Sequence, residues 1–303
     1  MSLVIITFFA SIQYIFYAGV PDYISTFEFL FITSTIGFIL LLCTFANELF
    51  RIDKKHTFRC FILAIESFAF NLFLVIGSNQ FDSTTVSGVI SSYFIFIPLA
   101  EFIIYKSLPK ISIVVAIVLV LTGLFFMLGM DVTKLMNRNI IFLLLADIMV
   151  TINIITIGNF AKSSNPAILS MGQLFFTSII SFTFWMIESK IKGTAITIPK
   201  EPLFWGSAIF VSFFLRGLYS VVQIYAQRYV SPINVSLIFS SEIIMTMFFS
   251  NTVSKFFGYQ PNEGPITVIK VIGAIIMLSG ILLSEINPKE VLCLVKGKNN
   301  DKD

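Results

Sequence analysis

Long apolar runs, separated by short polar breaks, extend along the whole chain. Because a membrane-spanning helix needs about 20 predominantly apolar residues, this pattern predicts ten such helices. They are predicted at residues 2–19, 26–46, 58–79, 83–104, 110–129, 139–160, 165–187, 203–226, 232–254 and 265–286. The breaks after the third and eighth helices are very short. The helices on either side of each of these breaks are therefore expected to be antiparallel neighbours.

The composition supports a membrane protein built entirely from helices. Of the 303 residues, 56% are hydrophobic and only 12% are charged, whereas soluble domains carry about 25% charged residues. The alternation of polar and apolar residues that marks spanning strands is not seen. The fold class predicted is an all-α polytopic protein that is embedded in a lipid bilayer.

Charge and cysteine content exclude several classes of function. The net charge of +3 is small and spread along the chain, so no basic domain is available and no nucleic-acid partner is expected. The cysteines Cys43, Cys60 and Cys293 have neither disulfide nor metal spacing. The single histidine, His56, lies in a charged loop. No metal site and no cofactor are expected.

The loops predict the orientation in the membrane. If the N-terminus lies in the cytoplasm, Lys and Arg are more frequent in the inner loops than in the outer ones, as the positive-inside rule requires. Residues 2–19 follow no positively charged stretch, so they are interpreted as a retained first helix rather than a signal peptide. The expected protein is a multi-pass protein of the cytoplasmic (inner) membrane with both termini inside.

Two stretches indicate that the chain contains an internal repeat. The segment 82–102 (DSTTVSGVISSYFIFIPLAEF) aligns with part of 227–250 (QRYVSPINVSLIFSSEIIMTMFFS) at a constant offset. The alignment matches Ser83 with Ser231, Ile90 with Ile238, and Ser92 with Ser240, and at a larger offset it matches Thr122-Gly123 with Ser279-Gly280.

Each half then contains five spans, and an odd number inverts the second half relative to the first. The sequence predicts two inverted five-helix repeats, residues 1–134 and 135–287, followed by a cytoplasmic tail at 288–303. Inverted repeats of this kind are typical of secondary transporters, whose binding site lies where the halves meet.

The same stretches carry a family resemblance. AQRYVSPINVSLIFSSE at 226–242, GSNQFDSTTVSGVISSYFIFIP at 77–98, and the glycine-bearing LTGLFF at 121–126 and LSGILL at 278–283 resemble the drug/metabolite transporter superfamily, most closely its EamA-like branch. The resemblance implies an alternating-access carrier for small solutes that does not hydrolyse ATP. Members of the superfamily include exporters of amino acids and toxic metabolites, uptake carriers, and exchangers of nucleotide sugars or phosphate esters.

Ionisable residues inside the spans are the first candidates for function, because a charge at that depth costs about 2.5–3.5 kcal/mol on insertion scales unless it faces a polar interior. Glu66 and Arg216 lie near the middles of the third and eighth spans. They are expected to face the interior, either as a substrate clamp or proton site or as a structural ion pair between the halves.

Glu242 lies about ten residues into the ninth span and is predicted to exchange protons at the junction of the halves. The alternative is a hydrogen-bonded glutamate that holds two helices together. Asp147 in the sixth span is the next candidate for the pathway, and Asn153 and Asn159 continue its polar face.

Further polar residues are predicted to line the pathway beside these carboxylates. They are Gln13, Tyr14, Ser91, Ser92, Tyr93, Gln223, Ser240 and Ser241. Asn71 and Gln173 are instead expected to form hydrogen bonds between helices.

The function predicted from these features is a secondary active transporter of a small polar or amphipathic metabolite, such as an amino acid, an amine or a drug-like compound. Transport is expected to be coupled to protons or to proceed by exchange, in a monomer or a homodimer. The alternatives are a nucleotide-sugar or phosphate-ester exchanger and a membrane-embedded lipid-modifying enzyme. The enzyme would need a clustered His and Asp set or paired Asp motifs, and the predicted spans contain neither, so a non-enzyme is favoured.

Overall fold

The computed structural model describes residues 2–18, 23–79, 81–106, 111–131, 137–193, 199–256 and 266–285, and every regular element within those ranges is a helix. The tail predicted at 288–303 and the repeat boundary predicted at residue 134 lie outside the described residues. Large apolar side chains such as Ile103, Phe248 and Val268 are 73–74% exposed. Such surfaces need a lipid environment, so the chain is a helical, multi-pass membrane protein.

Within the described ranges, the N-terminal half contains six α-helices. They are α1 (Ser2–Ala18), α2 (Thr26–Phe45, continued by the 3₁₀ helix Ala46–Arg51), α3 (Lys54–Ser78), α4 (Ser83–Ile90), α5 (Tyr93–Tyr105) and α6 (Ile111–Met127). Polar residues at the helix starts accept hydrogen bonds from backbone N–H groups that have no partner within the helix. Asp53 accepts one from His56 N at 2.7 Å, and Asp82 accepts one from Thr85 N at 3.0 Å.

The C-terminal half is also helical throughout its described ranges. Its helices are α7 (Arg138–Ala161), α8 (Pro166–Lys192), α9 (Pro202–Phe210), the π-helical segment Val211–Leu218, α10 (Tyr219–Ala226), α11 (Pro232–Ser240), α12 (Glu242–Phe256) and α13 (Val268–Glu285). Proline occupies the first turn of α8, α9 and α11, where its missing N–H costs nothing.

Helices lie at each of the ten positions predicted from the sequence. In the described part of the chain, six are long and apolar enough to cross a membrane: Thr26–Arg51, Lys54–Ser78, Ser83–Ala100, Arg138–Ala161, Pro166–Lys192 and Phe204–Ala226. Four shorter apolar helices, Leu3–Phe16, Ser112–Met127, Ile238–Ser250 and Val268–Leu283, occupy the remaining predicted positions.

Two of the predicted spans are interrupted rather than continuous. The fourth breaks at Ser91–Ser92, between α4 and α5, and the ninth breaks at Ser241, between α11 and α12. At each break a serine hydroxyl donates to a carbonyl of the preceding turn, Ser91 Oγ to Ser87 O and Ser241 Oγ to Ile238 O, both at 2.7 Å. Such local hydrogen bonds compete with the regular helical pattern, and apolar periodicity alone did not reveal the breaks.

Helices of the N-terminal half pack against helices of the C-terminal half in pairs. α2 lies against α8, and α6 lies along α13. The two interrupted helices are also neighbours, because α4 contacts α12 while α5 contacts α11. Glycines allow the closest approach: a Cβ at Gly123 would lie 2.5 Å from Gly273 O, and one at Gly273 would lie 2.6 Å from Gly123 O. α6 and α13 therefore pack backbone to backbone.

Candidate functional site: a polar cavity between the two halves

A cavity of about 80 Å³ lies between helices of both halves. α1, α3, α4 and α5 contribute from the N-terminal half, and α7, α8, α10, α11, α12 and the π-helical segment contribute from the C-terminal half. The lining residues are Gln13, Tyr14, Ser67, Phe70, Asn71, Ile90, Tyr93, Val150, Asn153, Gln173, Leu174, Leu215, Arg216, Tyr219, Ser220, Gln223, Phe239 and Glu242. Since one water needs about 10–15 Å³ of such space, the cavity has room for several waters or a small solute.

Glu242 supplies an acidic side chain in this wall. It is the first residue of α12, directly after the interruption at Ser241, and the partial positive charge at a helix N-terminus favours an acidic side chain there. The side chain is buried, and its Oε2 accepts a hydrogen bond from the Tyr14 hydroxyl at 2.7 Å. This bond joins α12 of the second half to α1 of the first.

Arg216 supplies a positive charge in the same wall. It lies in the π-helical segment Val211–Leu218 and is 6% exposed. π-helical turns within α-helices occur frequently at functional sites. α2 comes close to this segment because residue 37 is glycine: a Cβ at Gly37 would lie 2.7 Å from the Arg216 Cβ. This close approach fixes the position of the Arg216 Cβ, from which the side chain extends.

Aromatic and amide groups complete the lining. Tyr219 stacks on Phe239 with ring centroids 5.6 Å apart, and Tyr14, Tyr93 and Phe70 add further ring surface. The amide oxygen of Gln173 is buried and forms no hydrogen bond within the described ranges. The cavity thus combines both charges, aromatic faces and an unused acceptor.

The structure divides the candidates predicted from sequence into two sets. Six line the cavity: Gln13, Tyr14, Tyr93, Arg216, Gln223 and Glu242. The other six do not: Glu66, Asp147, Ser91, Ser92, Ser240 and Ser241. Ser91 and Ser241 instead hold the helix interruptions described above, and Ser240 is buried beside the second one.

Asp147 forms a second contact between the halves, away from the cavity wall. It lies on α7, is fully buried, and its Oδ2 accepts a hydrogen bond from Ser92 Oγ at 2.6 Å. Its Oδ1 has no hydrogen-bond partner among the described residues. Like Tyr14–Glu242, the pair joins an interrupted span to the first helix of the opposite half.

Glu66 lies on the face of α3 that is turned toward α7. Its carboxylate accepts hydrogen bonds from Asn153 Nδ2 at 3.1 Å and from Thr156 Oγ1 at 2.9 Å. The ion pair considered between Glu66 and Arg216 is absent from the part of the chain that the structure describes. The neighbouring residue Ser67, rather than Glu66, reaches the cavity.

Sequence reasoning missed several lining residues. Asn71 and Gln173 were expected only to form hydrogen bonds between helices, Asn153 was noted only as continuing the polar face of Asp147, and Ser67, Tyr219 and Ser220 were not singled out at all. A signal was available, because Arg216, Ser220 and Gln223 recur at spacings of four and three residues and therefore share one helix face. Within the described ranges, no group of three or more His, Cys, Asp or Glu is placed to hold a metal ion.

The two ends of the molecule differ. Beside the start of α3, a cavity of about 630 Å³ is lined by His56, Tyr225 and Arg228 among others, and a neighbouring cavity of about 280 Å³ lies between α7 and the start of α11. Past the other end of α3, Asp82 Oδ2 forms an ion pair with Lys270 Nζ on α13 at 2.7 Å. The end of the molecule near the start of α3 therefore contains two cavities. At the opposite end, an ion pair joins the two halves.

Comparison with known proteins supports this architecture. The model of the EamA-like transporter family matches residues 1–129. The EamA-like resemblance inferred from the sequence is confirmed. An uncharacterized transporter of Archaeoglobus fulgidus is 23% identical over 235 residues, which is 77% of this chain and 70% of the relative. These two matches indicate a membrane transporter rather than an enzyme.

The fold also resembles that of a protein with a solved crystal structure. The TM-score is 0.63 at 13% sequence identity, and the likeness covers 94% of this chain and 98% of the other. At this identity the likeness concerns the fold alone.

Proposed function

We propose that this EamA-like protein is a secondary active transporter of a small zwitterionic or amphipathic metabolite, such as an amino acid or an amine. The observation that carries the proposal is the cavity, in which Arg216 and Glu242 contribute opposite charges to a wall that is otherwise aromatic and amide-rich. A phosphate ester or nucleotide sugar would need more positive charge than Arg216 supplies, since among the described lining residues it is the one cation.

The proposed mechanism is alternating access by two inverted five-helix repeats whose ten segments all cross the cytoplasmic membrane, with both termini inside. Reciprocal packing supports this arrangement, because α2 pairs with α8, α6 with α13, and each interrupted helix with the other. In this orientation the end that contains the two cavities faces the cytoplasm and the Asp82–Lys270 pair faces outward. The described conformation is thus the one closed toward the outside.

Glu242 is the proposed coupling group. Its carboxylate lies in the cavity wall and is held by Tyr14 across the junction of the halves. Gain or loss of a proton there changes both the charge that the solute meets and the strength of that cross-half hydrogen bond. Proton binding and binding of a cationic group of the solute then compete for one carboxylate, which couples their movements in opposite directions.

The test is transport by the purified full chain in proteoliposomes. Radiolabelled neutral amino acids and small alkylamines serve as probes, first under a pH gradient and then by exchange at equal pH. The parent is expected to accumulate at least one of these classes. Glu242→Gln, which mimics the protonated side chain, is expected to lose gradient-driven accumulation while equal-pH exchange persists.

Glu48→Gln is the matched control, because Glu48 lies in the 3₁₀ helix Ala46–Arg51, outside the cavity. It is expected to accumulate the probe as the parent does. A Glu242→Gln protein that accumulates solute as well as the parent would contradict the coupling role. A parent that neither accumulates nor exchanges any of the probes would contradict the substrate class.

A further inference from the structure

The cavity of about 280 Å³ between α7 and the start of α11 is separate from the proposed transport site. Its walls are Ile155, Gly158, Asn159, Lys162, Gln227, Arg228, Tyr229, Val230, Ser231 and Pro232. None of these residues lines the central cavity.

Gln227 is the most unusual residue in this wall. It is 1% exposed, and neither its amide nitrogen nor its amide oxygen has a hydrogen-bond partner among the described residues. Burying an amide without a partner is strongly unfavourable. A ligand that enters the cavity and satisfies this amide would therefore bind favourably and stabilise the fold.

The positively charged residues around the cavity favour an anionic ligand. Lys162 and Arg228 both border it, and neither takes part in any of the ion pairs found in the described ranges. Asn159 and Ser231 add polar groups at the rim. Two cations beside hydrogen-bond donors suit a phosphate group.

The residues around the cavity favour a phosphate that is part of a lipid. Tyr229 and its ring partner Tyr225 are 73% and 53% exposed, and exposed tyrosines are enriched at the level of lipid headgroups. On α7, Ile148 and Ile152 are 37% and 41% exposed. They precede Ile155 on the same helix face, so an apolar strip leads along α7 to the cavity.

We propose that this cavity binds the headgroup phosphate of an anionic phospholipid, with an acyl chain lying along the exposed isoleucines of α7. Lys162 and Arg228 pair with the phosphate, and Gln227 hydrogen-bonds to the headgroup. In the proposed orientation the site faces the cytoplasmic leaflet, where anionic lipids attract basic groups. Lipid binding at this site does not require that the protein transports a solute.

The experiment measures binding of short-chain phosphatidylglycerol to the full chain held in phosphatidylcholine nanodiscs. Native mass spectrometry counts the bound lipids, and the melting temperature reports stabilisation. The parent is expected to retain one phosphatidylglycerol and to melt at a higher temperature in its presence. The double variant Lys162→Gln/Arg228→Gln is expected to bind about tenfold or more weakly, since basic residues near a charged lipid surface strengthen binding.

The matched control is Arg51→Gln/Lys54→Gln, which removes the same charge from exposed residues outside the cavity. It is expected to retain the bound lipid. Gln227→Leu tests the role of the amide without changing the charge of the site. This variant is expected to melt no lower than the parent in neutral lipid. It should nevertheless lose most of the increase in melting temperature that phosphatidylglycerol causes.

Two results would overturn the assignment. One is equal loss of lipid binding in the control pair and the cavity pair, which would indicate non-specific attraction to the surface. The other is a full increase in melting temperature with glycerol phosphate and none with phosphatidylglycerol, which would make the ligand a soluble phosphate ester.

Discussion

The two interrupted helices, α4–α5 and α11–α12, have the same local design but different surroundings. Each is broken by serine hydroxyls, and each lies beside the other. At the start of α4, Asp82 caps the helix and is also paired with Lys270 of the opposite half. At the start of α11, Ser231 caps the helix and borders an open cavity.

The carboxylates beside the two breaks, Glu242 and Asp147, also differ in their surroundings. Glu242 belongs to the interrupted helix itself and lines the central cavity, whereas Asp147 comes from α7 and lies outside that wall. Both interrupted helices thus border the central cavity and are bonded across the halves, but among the described residues only α4–α5 carries an ion pair at its start, whereas the start of α11 borders the second cavity. A few charged positions therefore distinguish two helices that are interrupted in the same way, and substitutions at those positions should separate the two.

The largest effect on stability is expected from breaking the Asp82–Lys270 pair. The two side chains are 15% and 13% exposed, and removing one member of a buried pair costs about 3–5 kcal/mol because the other charge is left uncompensated. Lys270→Met should lower the melting temperature clearly and increase labelling of a cysteine at the buried position Ser83 from outside. The exchanged pair Asp82→Lys/Lys270→Asp should recover part of the loss.

An unchanged labelling rate in Lys270→Met, measured with a membrane-impermeant maleimide, would show that the ion pair does not hold this end closed. Ser231→Ala is the comparison at the other end. It should cost only about 1 kcal/mol, the usual value of an N-cap.

An intermediate effect is expected from the two bonds that cross between the halves. Tyr14→Phe removes the donor to Glu242, and Ser92→Ala removes the donor to Asp147. Leaving a buried carboxylate without its partner costs about 1–3 kcal/mol, so both should lower the melting temperature by similar amounts. In the proteoliposome assay, Tyr14→Phe should also change the pH dependence of uptake, because Glu242 lines the central cavity and is the proposed coupling group.

Ser92→Ala should leave that pH dependence as it is in the parent. If both variants shift the pH profile equally, the distinction between a working and a structural carboxylate is wrong.

The smallest effects are expected at the interruptions. Ser91→Ala and Ser241→Ala each remove one hydroxyl-to-carbonyl bond, and a net hydrogen bond contributes about 0.5–1.5 kcal/mol. Calorimetry should show two small and similar decreases in melting temperature. A large loss at one site and none at the other would mean that the breaks are not equivalent.

Much of the fold could be predicted from sequence, because apolar runs of membrane-spanning length leave few alternatives. The repeat alignment also placed Ser92 opposite Ser240, next to both interruptions. The position of Glu66 along its helix could be predicted, but the direction of its side chain could not. One residue corresponds to about 100° around a helix, so Ser67 reaches the cavity while Glu66 meets α7. The π-helical segment around Arg216 changes the helical periodicity, and apolar patterning does not reveal such a segment.

The backbone contact between α6 and α13 has a mechanical consequence. Gly123 and Gly273 bring the two helices into backbone contact, and neither helix contributes to the described wall of the central cavity. A pair held at such short range resists sliding apart but tolerates slight rotation. Under the proposed alternating-access mechanism, this pair is expected to act as the hinge, with residues far from its axis travelling farthest. The glycines would then set the position of the pivot.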